Sequence, residues 1–290
     1  IMEDLICEGV YKNYKEKSVL EDINLVLEPA KIYGLIGRNG VGKTTLLSIM
    51  SAQTPASKGQ VFLGNEPIWE NKKALCNICF SRELNTGDKF GIGALKVKDY
   101  LNAAKIFYPK WDDNMAKELM DMFQLNKKQQ ISKLSKGMAS MITIIVAMAS
   151  KAEYTFLDEP VAGLDVVARD DFYKLLIDEY TNTGRTFVVS THIIEEASDI
   201  FEEVIILKDK KILLKENTME LFDRAYHVSG KAEDVDNAVF GLKCFHEECI
   251  GRSKGVTVFL EEGQSIKSGI DVSIQNVTLQ NLFVALCGKE

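Results

Sequence analysis

Residues 37–44 of this 290-residue chain read GRNGVGKT, a glycine-rich segment that ends in lysine and threonine. Glycines at this spacing let backbone N–H groups turn inward around phosphate oxygens without clashes from Cβ atoms. Lys43 would reach the β- and γ-phosphates of a nucleotide, and the Thr44 hydroxyl would ligate Mg²⁺. The segment therefore predicts a nucleotide-binding loop. The candidate binding residues are Gly37, Arg38, Asn39, Gly40, Val41, Gly42, Lys43, Thr44 and Thr45.

A second candidate segment is YTFLDE, residues 154–159. Largely apolar residues lead to Asp158 and Glu159, as at the end of a buried strand. Asp158 could there hold a metal ion through its water shell, and Glu159 could polarise an attacking water. An Asp-Glu-Pro sequence could also simply end the strand. Its presence together with GRNGVGKT favours nucleotide hydrolysis, with Glu159 as the base and Lys43 at the phosphates.

The elements around these segments alternate between strands and helices. KIYGLIG predicts a buried strand before the glycine-rich loop, and KTTLLSIMSAQ predicts a helix after it. AEYTFLDEP and RTFVVSTH predict two more strands, separated by the amphipathic helix DDFYKLLIDEY. This alternation predicts an α/β fold with a mainly parallel sheet covered on both faces.

Three further regions complete the predicted organisation. LICEGVYKNY and SVLEDINLVLE predict an N-terminal pair of antiparallel strands. Apolar spacing of three and four predicts a helical subdomain, and short strand-like pieces near the end, with one helical stretch and a closing helix, predict an α+β domain. The predicted domains are residues 2–216, with the helical subdomain at about 85–150, and an accessory domain at 217–290.

Composition and charge narrow the class of protein. Apolar residues make up 46% and charged residues 27%, as in soluble globular proteins. The net charge of −7 provides no basic field, so a nucleic-acid partner is not expected. No apolar run reaches the roughly 20 residues of a membrane helix, and no charged-then-apolar leader opens the sequence. A cytoplasmic location is expected.

The six cysteines do not follow the spacing of a disulfide framework or a zinc site. Cys76 and Cys79 form one CxxC, and Cys244, His246 and Cys249 form a second group. Structural zinc takes four ligands, usually from two such pairs. Alternation in ALCNICF predicts a strand in which small buried thiols are ordinary, so buried thiols are favoured over a metal site.

The order of five motifs resembles that of the nucleotide-binding subunits of ABC transporters over about residues 5–215. These motifs are GRNGVGKT, LSKGM, FLDEP, AGLD and STH. The resemblance implies the ABC-type P-loop fold, ATP and Mg²⁺ as ligands, and a head-to-tail dimer with a second copy or a sister subunit. LSKGM, residues 134–138, is similar to the family's LSGGQ signature, with Lys136 and Met138 in place of glycine and glutamine.

Roles for other residues follow from the same resemblance. Ser135, Lys136 and Gly137 would contact the γ-phosphate of ATP held by the other subunit, although Ser135 alone is also an ordinary helix N-cap. His192 would be the switch histidine beside Glu159, and Asp165 would cross the dimer interface.

Two assignments have competitors nearby. Tyr14 would stack on adenine, with Tyr11 as the alternative. The family's glutamine after the next strand is absent from ICFSRELN, where Arg82 or Glu83 stands instead. The match of ICF favours Glu83, whose carboxylate could reach Mg²⁺ and water.

The resemblance implies a transport ATPase that works with a separate transmembrane permease at the inner face of the membrane. The helical subdomain at about 85–150 supports this prediction, because members of the family contact the membrane subunit in that region. The alternative is a regulatory ATPase of the same family that acts on a cytosolic partner. The segment VTLQNLFVALCG, residues 277–288, resembles the closing segment of ABC-2-type exporter subunits and favours export over import.

Overall fold

The computed structural model describes residues 2–87 and 90–288. The strands are β1 Leu5–Tyr14, β2 Lys17–Leu27, β3 Ile32–Ile36, β4 Lys58–Leu63, β5 Glu66–Pro67, β6 Ile78–Ser81, β7 Tyr154–Asp158, β8 Thr186–Ser190, β9 Glu203–Lys208, β10 Lys211–Asn217, β11 Ala225–Lys231, β12 Lys243–Ile250, β13 Ser253–Phe259 and β14 Val272–Asn276. The α-helices are α1 Lys43–Met50, α2 Lys72–Leu75, α3 Val97–Phe107, α4 Asp113–Met122, α5 Lys136–Ala149, α6 Val166–Thr183, α7 Ile194–Ala197, α8 Thr218–Arg224, α9 Ala232–Ala238 and α10 Leu279–Cys287.

The central sheet has six strands in the order β10-β9-β3-β8-β7-β6. Strands β9, β3, β8, β7 and β6 run parallel, and β10 pairs with β9 as an antiparallel hairpin. Every residue of β3 and β8 is buried, as expected for central parallel strands covered on both faces. Ile32 and Ile36 face one core, and Tyr33 and Leu35 face the other. The mainly parallel sheet predicted from the sequence is confirmed.

The N-terminal strands form a separate antiparallel sheet in the order β2-β1-β4-β5. Its Val10 and Leu25 pack in one core with Tyr33 of the central sheet and Leu46 of α1. Helix α1 is therefore buried between the two sheets, and this packing holds its first turn at the carboxyl end of β3. The antiparallel N-terminal sheet predicted from the sequence is also confirmed.

Helices α3, α4 and α5 lie between β6 and β7 in sequence, where helical spacing was found. The strand expected through ALCNICF is shorter than predicted and covers only Ile78–Ser81. Asn71 accounts for the difference, because its side chain accepts hydrogen bonds from the N–H groups of Lys73 and Ala74 and starts the short helix α2. No helix in the described ranges is long and apolar enough to cross a membrane.

Near the carboxyl terminus, β11 to β14 form an antiparallel sheet in the order β12-β13-β11-β14. Val228 and Val256 of this sheet pack with Val235 of α9 in a small core of their own. Strand β12 was not predicted from the sequence, because nearly all of its side chains are exposed and show no apolar alternation. The closing helix α10 leaves this sheet, and its Leu282 packs in the main core with residues of the central sheet.

A buried arginine from outside helix α5, Arg185, binds the carbonyl groups at the carboxyl end of that helix. Arg185 is 4% exposed, and its guanidinium donates hydrogen bonds to the carbonyls of Ala147, Met148 and Ala152 at 2.8, 3.0 and 2.7 Å. It also pairs with Glu179, itself 4% exposed, at 2.8 Å. The last carbonyls of a helix lack intrahelical partners, so Arg185 satisfies acceptors that burial would otherwise leave unpaired.

We expect Arg185→Met to lower the free energy of unfolding by about 3 kcal/mol, because removing one member of a buried ion pair strands the other charge. This is the low end of the usual range, since Lys151 still contacts Glu179 at 2.9 Å. Urea unfolding measures the change. The double variant Arg185→Met/Glu179→Leu should recover part of the loss, and equal losses in the two variants would contradict the ion-pair explanation.

Candidate nucleotide-binding site

The predicted site segments follow three neighbouring strands of the central sheet. Strands β3, β8 and β7 are adjacent and parallel, so their carboxyl ends lie along one edge. The chain continues into Gly37 after β3, into Glu159 after β7 and into Thr191 after β8. The edge of a parallel sheet outside its carboxyl ends is where ligands of α/β proteins bind.

The glycine-rich loop wraps around an open cavity. Gly40 and Gly42 have φ values of 77° and 118°, a left-handed conformation that a side chain at these positions would disfavour. Lys43 is 7% exposed, and its Nζ donates to the Gly37 carbonyl at 2.7 Å. Burial lowers the pKa of the Lys43 amine, and the carboxylates of Glu159 and Asp158 oppose that shift.

This cavity has a volume of about 440 Å³. Its lining residues are Val19, Asn39, Gly40, Gly42, Lys43, Thr44, Thr45, Asp158 and Glu159. Val19 was not expected from the sequence, because an apolar residue in a strand gives no sign of a ligand. Neither Tyr14 nor Tyr11 is part of this lining. Tyr14 is 49% exposed at the end of β1, with the Lys12 amine 4.9 Å from its ring centroid.

Two hydroxyl groups hold Asp158. Thr44 Oγ1 donates to Asp158 Oδ2 at 2.6 Å, and Ser190 Oγ donates to Asp158 Oδ1 at 2.6 Å. Ser190 lies directly opposite Asp158 in the β7–β8 register, a contact that the sequence did not reveal. No local sequence pattern signals this contact, because it depends on the register of β7 against β8. Hydroxyl and carboxylate oxygens are the ligands that Mg²⁺ prefers, so this group of oxygens suits that ion.

Glu159 and His192 are in direct contact. His192 Nδ1 lies 2.6 Å from Glu159 Oε2, and the His192 backbone N–H donates to the same oxygen at 3.4 Å. Glu159 has a φ of 51°, a left-handed conformation that is unfavourable for a residue other than glycine. Its N–H donates to the Ser190 carbonyl at 3.0 Å, which helps to fix this backbone. The carboxylate is therefore held in one orientation at the cavity wall.

A second cavity of about 330 Å³ is lined by Gly37, Arg38 and Asn39. His192 and Phe283 of the closing helix α10 also line this cavity. The carboxyl-terminal helix thus reaches the immediate surroundings of the predicted site, a contact that was not predicted from the sequence.

The segment LSKGM starts α5 and packs against AGLD rather than against the glycine-rich loop. The Ser135 Oγ caps the helix by accepting from the Met138 N–H at 3.2 Å. A Cβ on Gly137 would lie 2.6 Å from the Gly163 carbonyl, so the two segments approach closely at a point where only glycine fits. Asp165 caps α6 by accepting from the Ala168 N–H at 2.9 Å.

The fold does not place Ser135, Lys136, Gly137 or Asp165 in the 440 Å³ cavity of their own chain. Glu83 lies closer to it. Together with Thr44 and Asp158 it lines an adjoining cavity of about 540 Å³. Its carboxylate contacts Lys136, whose Nζ lies 3.3 Å from Glu83 Oε1.

The cysteines do not assemble a metal site. Among residues 2–87 and 90–288, no group of three or more His, Cys, Asp or Glu side chains has the arrangement of metal ligands. Cys79 is fully buried, and burial raises the pKa of its thiol. Cys76 is only half-buried, because it follows α2 instead of lying in the expected strand. Cys244 and Cys249 are exposed on β12.

Comparison with known proteins identifies the family. The sequence profile of the ABC transporter family matches residues 20–162. The manganese transport system ATP-binding protein MntB of Listeria innocua is 30% identical over 209 residues, which are 71% of this chain and 87% of that protein. The chain belongs to the ABC transporter ATP-binding proteins. It is an ABC-type ATPase, and the family inferred from its five motifs is confirmed.

Two further comparisons support the assignment of this ABC ATPase. The ABC transporter ATP-binding protein YtrB of Bacillus subtilis is 28% identical over 204 residues, covering 70% of this chain and 67% of YtrB. The dimeric structure of MJ0796, a bacterial ABC transporter cassette, superposes with a TM-score of 0.64 at 23% identity. The superposition covers 74% of this chain and 98% of that chain, and it confirms the predicted ABC-type P-loop fold.

Proposed function

We propose that this ABC ATPase binds and hydrolyses MgATP in a head-to-tail dimer and thereby drives a separate membrane permease. One observation carries the proposal: the Glu159 carboxylate borders the cavity of the glycine-rich loop and contacts His192 at 2.6 Å. A base at the cavity wall, with a histidine that orients it, is the arrangement that water attack on a γ-phosphate requires.

We propose the following roles within one subunit. The backbone of residues 37–42 and the Lys43 amine cradle the phosphates of ATP. Glu159 accepts the proton of the attacking water, and His192 holds the carboxylate and approaches the γ-phosphate. Tyr14, whose ring is exposed at the end of β1, stacks on the adenine.

Thr44 and Asp158 are the residues that we propose to hold Mg²⁺, with Glu83, which lines the adjoining cavity with them, as a further candidate ligand. When bound, the ion supplies positive charge that offsets the charge developing on the phosphates. Ser190 keeps the Asp158 carboxylate aimed at this position through the 2.6 Å hydrogen bond.

The signature segment supplies the other half of the site in a second subunit. Two observations support this assignment: Ser135 and Gly137 do not line the 440 Å³ cavity of their own chain, and Gly137 packs on Gly163 of AGLD. The cap uses Ser135 Oγ as an acceptor, so the O–H proton remains for donation to a phosphate. Asp165 lies at the start of α6 in the same surface, next to the expected position of the partner's ATP.

The transport partner and the domain organisation are also proposals. We propose residues 2–216 as the ATPase domain, its helical subdomain at about 85–150 as the region that meets the permease, and residues 217–290 as an accessory domain. Positions 88, 89, 289 and 290 lie outside the described residues. The peripheral location at the inner membrane face follows from binding to the permease. Export as the direction of transport rests on the similarity of VTLQNLFVALCG to exporter subunits.

The experiment is affinity purification of the tagged chain from detergent-solubilised membranes, followed by reconstitution. We expect a protein with several membrane spans to co-purify and to raise the ATPase rate of the chain in proteoliposomes. The Lys43→Ala variant in the same liposomes controls for ATPase contaminants. A soluble partner in place of a membrane protein, with an ATPase rate that liposomes do not change, would contradict the transport role.

A further inference from the structure

The two positions at which the chain departs most clearly from the family pattern contact each other. By the resemblance to the family, Lys136 replaces a signature glycine, and the match of ICF places Glu83, rather than Arg82, where a glutamine is usual. The Lys136 Nζ lies 3.3 Å from Glu83 Oε1, and the two side chains are 57% and 56% exposed. The two substitutions introduce opposite charges, so each compensates the other in the isolated subunit.

The aliphatic part of the Lys136 side chain, like its amine, is in contact with a neighbouring segment. Gly163 of AGLD has a φ of 77°, and a Cβ built there would lie 2.8 Å from Lys136 Cγ. The lysine stem therefore lies directly over Gly163 while its amine reaches Glu83. This one side chain links the segment after β6 to the signature segment and AGLD, which already meet at Gly137 and Gly163.

Glu83 connects this contact to the nucleotide. It lines the cavity of about 540 Å³ that also contains Thr44 and Asp158. The Lys136–Glu83 pair thus lies between the ATP site of its own subunit and the surface that would receive the ATP of the partner. A change at either site alters the electrostatic environment of the pair.

We propose that Lys136 exchanges partners when the dimer closes. In the open subunit it pairs with Glu83, and in the closed dimer its amine turns to the γ-phosphate of ATP held by the partner, releasing Glu83. An exposed lysine–carboxylate ion pair is weak and opens readily. A lysine–phosphate contact inside a closed interface is charge-assisted and less screened by salt. The pair therefore sets a threshold that ATP must overcome. This inference rests on the proposed head-to-tail dimer.

The test is a double-mutant cycle in which ATP-dependent dimerisation is measured by sedimentation velocity. Glu159→Gln is the common background, and Glu83→Gln, Lys136→Gly and their combination are compared at low salt. Sodium ATP with EDTA is used, so that any contribution of Glu83 to holding Mg²⁺ is removed. Glu196→Gln, which alters another exposed carboxylate paired with Arg169 at 3.0 Å, is the matched control.

With Lys136 present, we expect Glu83→Gln to lower the dimer dissociation constant by about 2- to 30-fold, the effect of opening one exposed pair in each subunit. With Lys136→Gly, the same Glu83→Gln change should have no effect. Lys136→Gly alone should weaken the dimer. At ~1 M salt, where the Debye length is about 3 Å, the effect of Glu83→Gln should disappear.

Three results would overturn the exchange, and they are distinguishable. Dimerisation with equal shifts from Glu83→Gln in both backgrounds, or a weaker dimer when Lys136 is present, contradicts the exchange alone. Monomers in all variants at saturating ATP contradict the head-to-tail dimer and the exchange together.

Discussion

The variant Glu159→Gln is expected to hydrolyse ATP about 10²–10⁴-fold more slowly than the unaltered chain, because it lacks the carboxylate that accepts the proton of water. ATP affinity should change little, since the phosphate cradle of residues 37–43 is untouched. Glutamine is close in size to glutamate and can still hydrogen-bond His192, so the backbone with a φ of 51° at this position has no new reason to rearrange. Steady-state phosphate release and ATP calorimetry measure the two quantities.

Glu196→Gln is the matched control for this change. Glu196 lies on α7 shortly after His192 and pairs with Arg169 at the surface. The Glu196→Gln variant should hydrolyse ATP at the rate of the unaltered chain, since Glu196 does not line the 440 Å³ cavity. An unaltered rate in Glu159→Gln would exclude Glu159 as the base.

The second large effect is expected for Lys43→Ala, which should weaken ATP binding by about 30-fold or more. The Lys43 side chain is buried beneath the loop, and deleting one member of a buried charge pair costs about 2–5 kcal/mol. The loss should appear in calorimetry as a higher dissociation constant for ATP.

Lys174→Ala serves as the matched control, because Lys174 is an exposed lysine on α6 that pairs with Asp170 at 2.6 Å. The ATP affinity of the Lys174→Ala variant should equal that of the unaltered chain. Circular dichroism confirms that both variants fold. If folded Lys43→Ala binds ATP as tightly as the control does, the assignment of the phosphate cradle is wrong.

Local patterns in the sequence were sufficient to predict the strand, loop and helix around GRNGVGKT. The glycine spacing, the buried run before it and the helical spacing after it all lie within one short stretch, so no long-range information was needed. The same holds for β7 and β8, whose continuous apolar runs are typical of buried parallel strands.

Contacts between distant segments could not be predicted in this way. The hydrogen bond from Ser190 to Asp158 depends on the register of β7 against β8, and the Lys136–Glu83 pair depends on how α5 packs beside β6. Strand β12 was missed for a different reason: its side chains are mostly exposed, so burial leaves no pattern in its sequence. Position-by-position reading identifies residue types, whereas the fold decides which of them meet.

The claim that a second subunit completes the ATP site is tested most directly at Ser135. In the Glu159→Gln background, Ser135→Asp keeps a side chain that can cap α5 but places a negative charge where the γ-phosphate of the partner's ATP would lie. Ser135→Asn keeps the cap without the charge. Calorimetry with ATP separates loss of dimerisation from loss of nucleotide binding.

The decisive measurement is sedimentation velocity of these three variants at saturating ATP. We predict dimers for Glu159→Gln and for its Ser135→Asn derivative, and monomers for the Ser135→Asp derivative. Monomers for Glu159→Gln with ATP bound, or equally stable dimers with aspartate at position 135, would contradict an ATP site shared between two subunits.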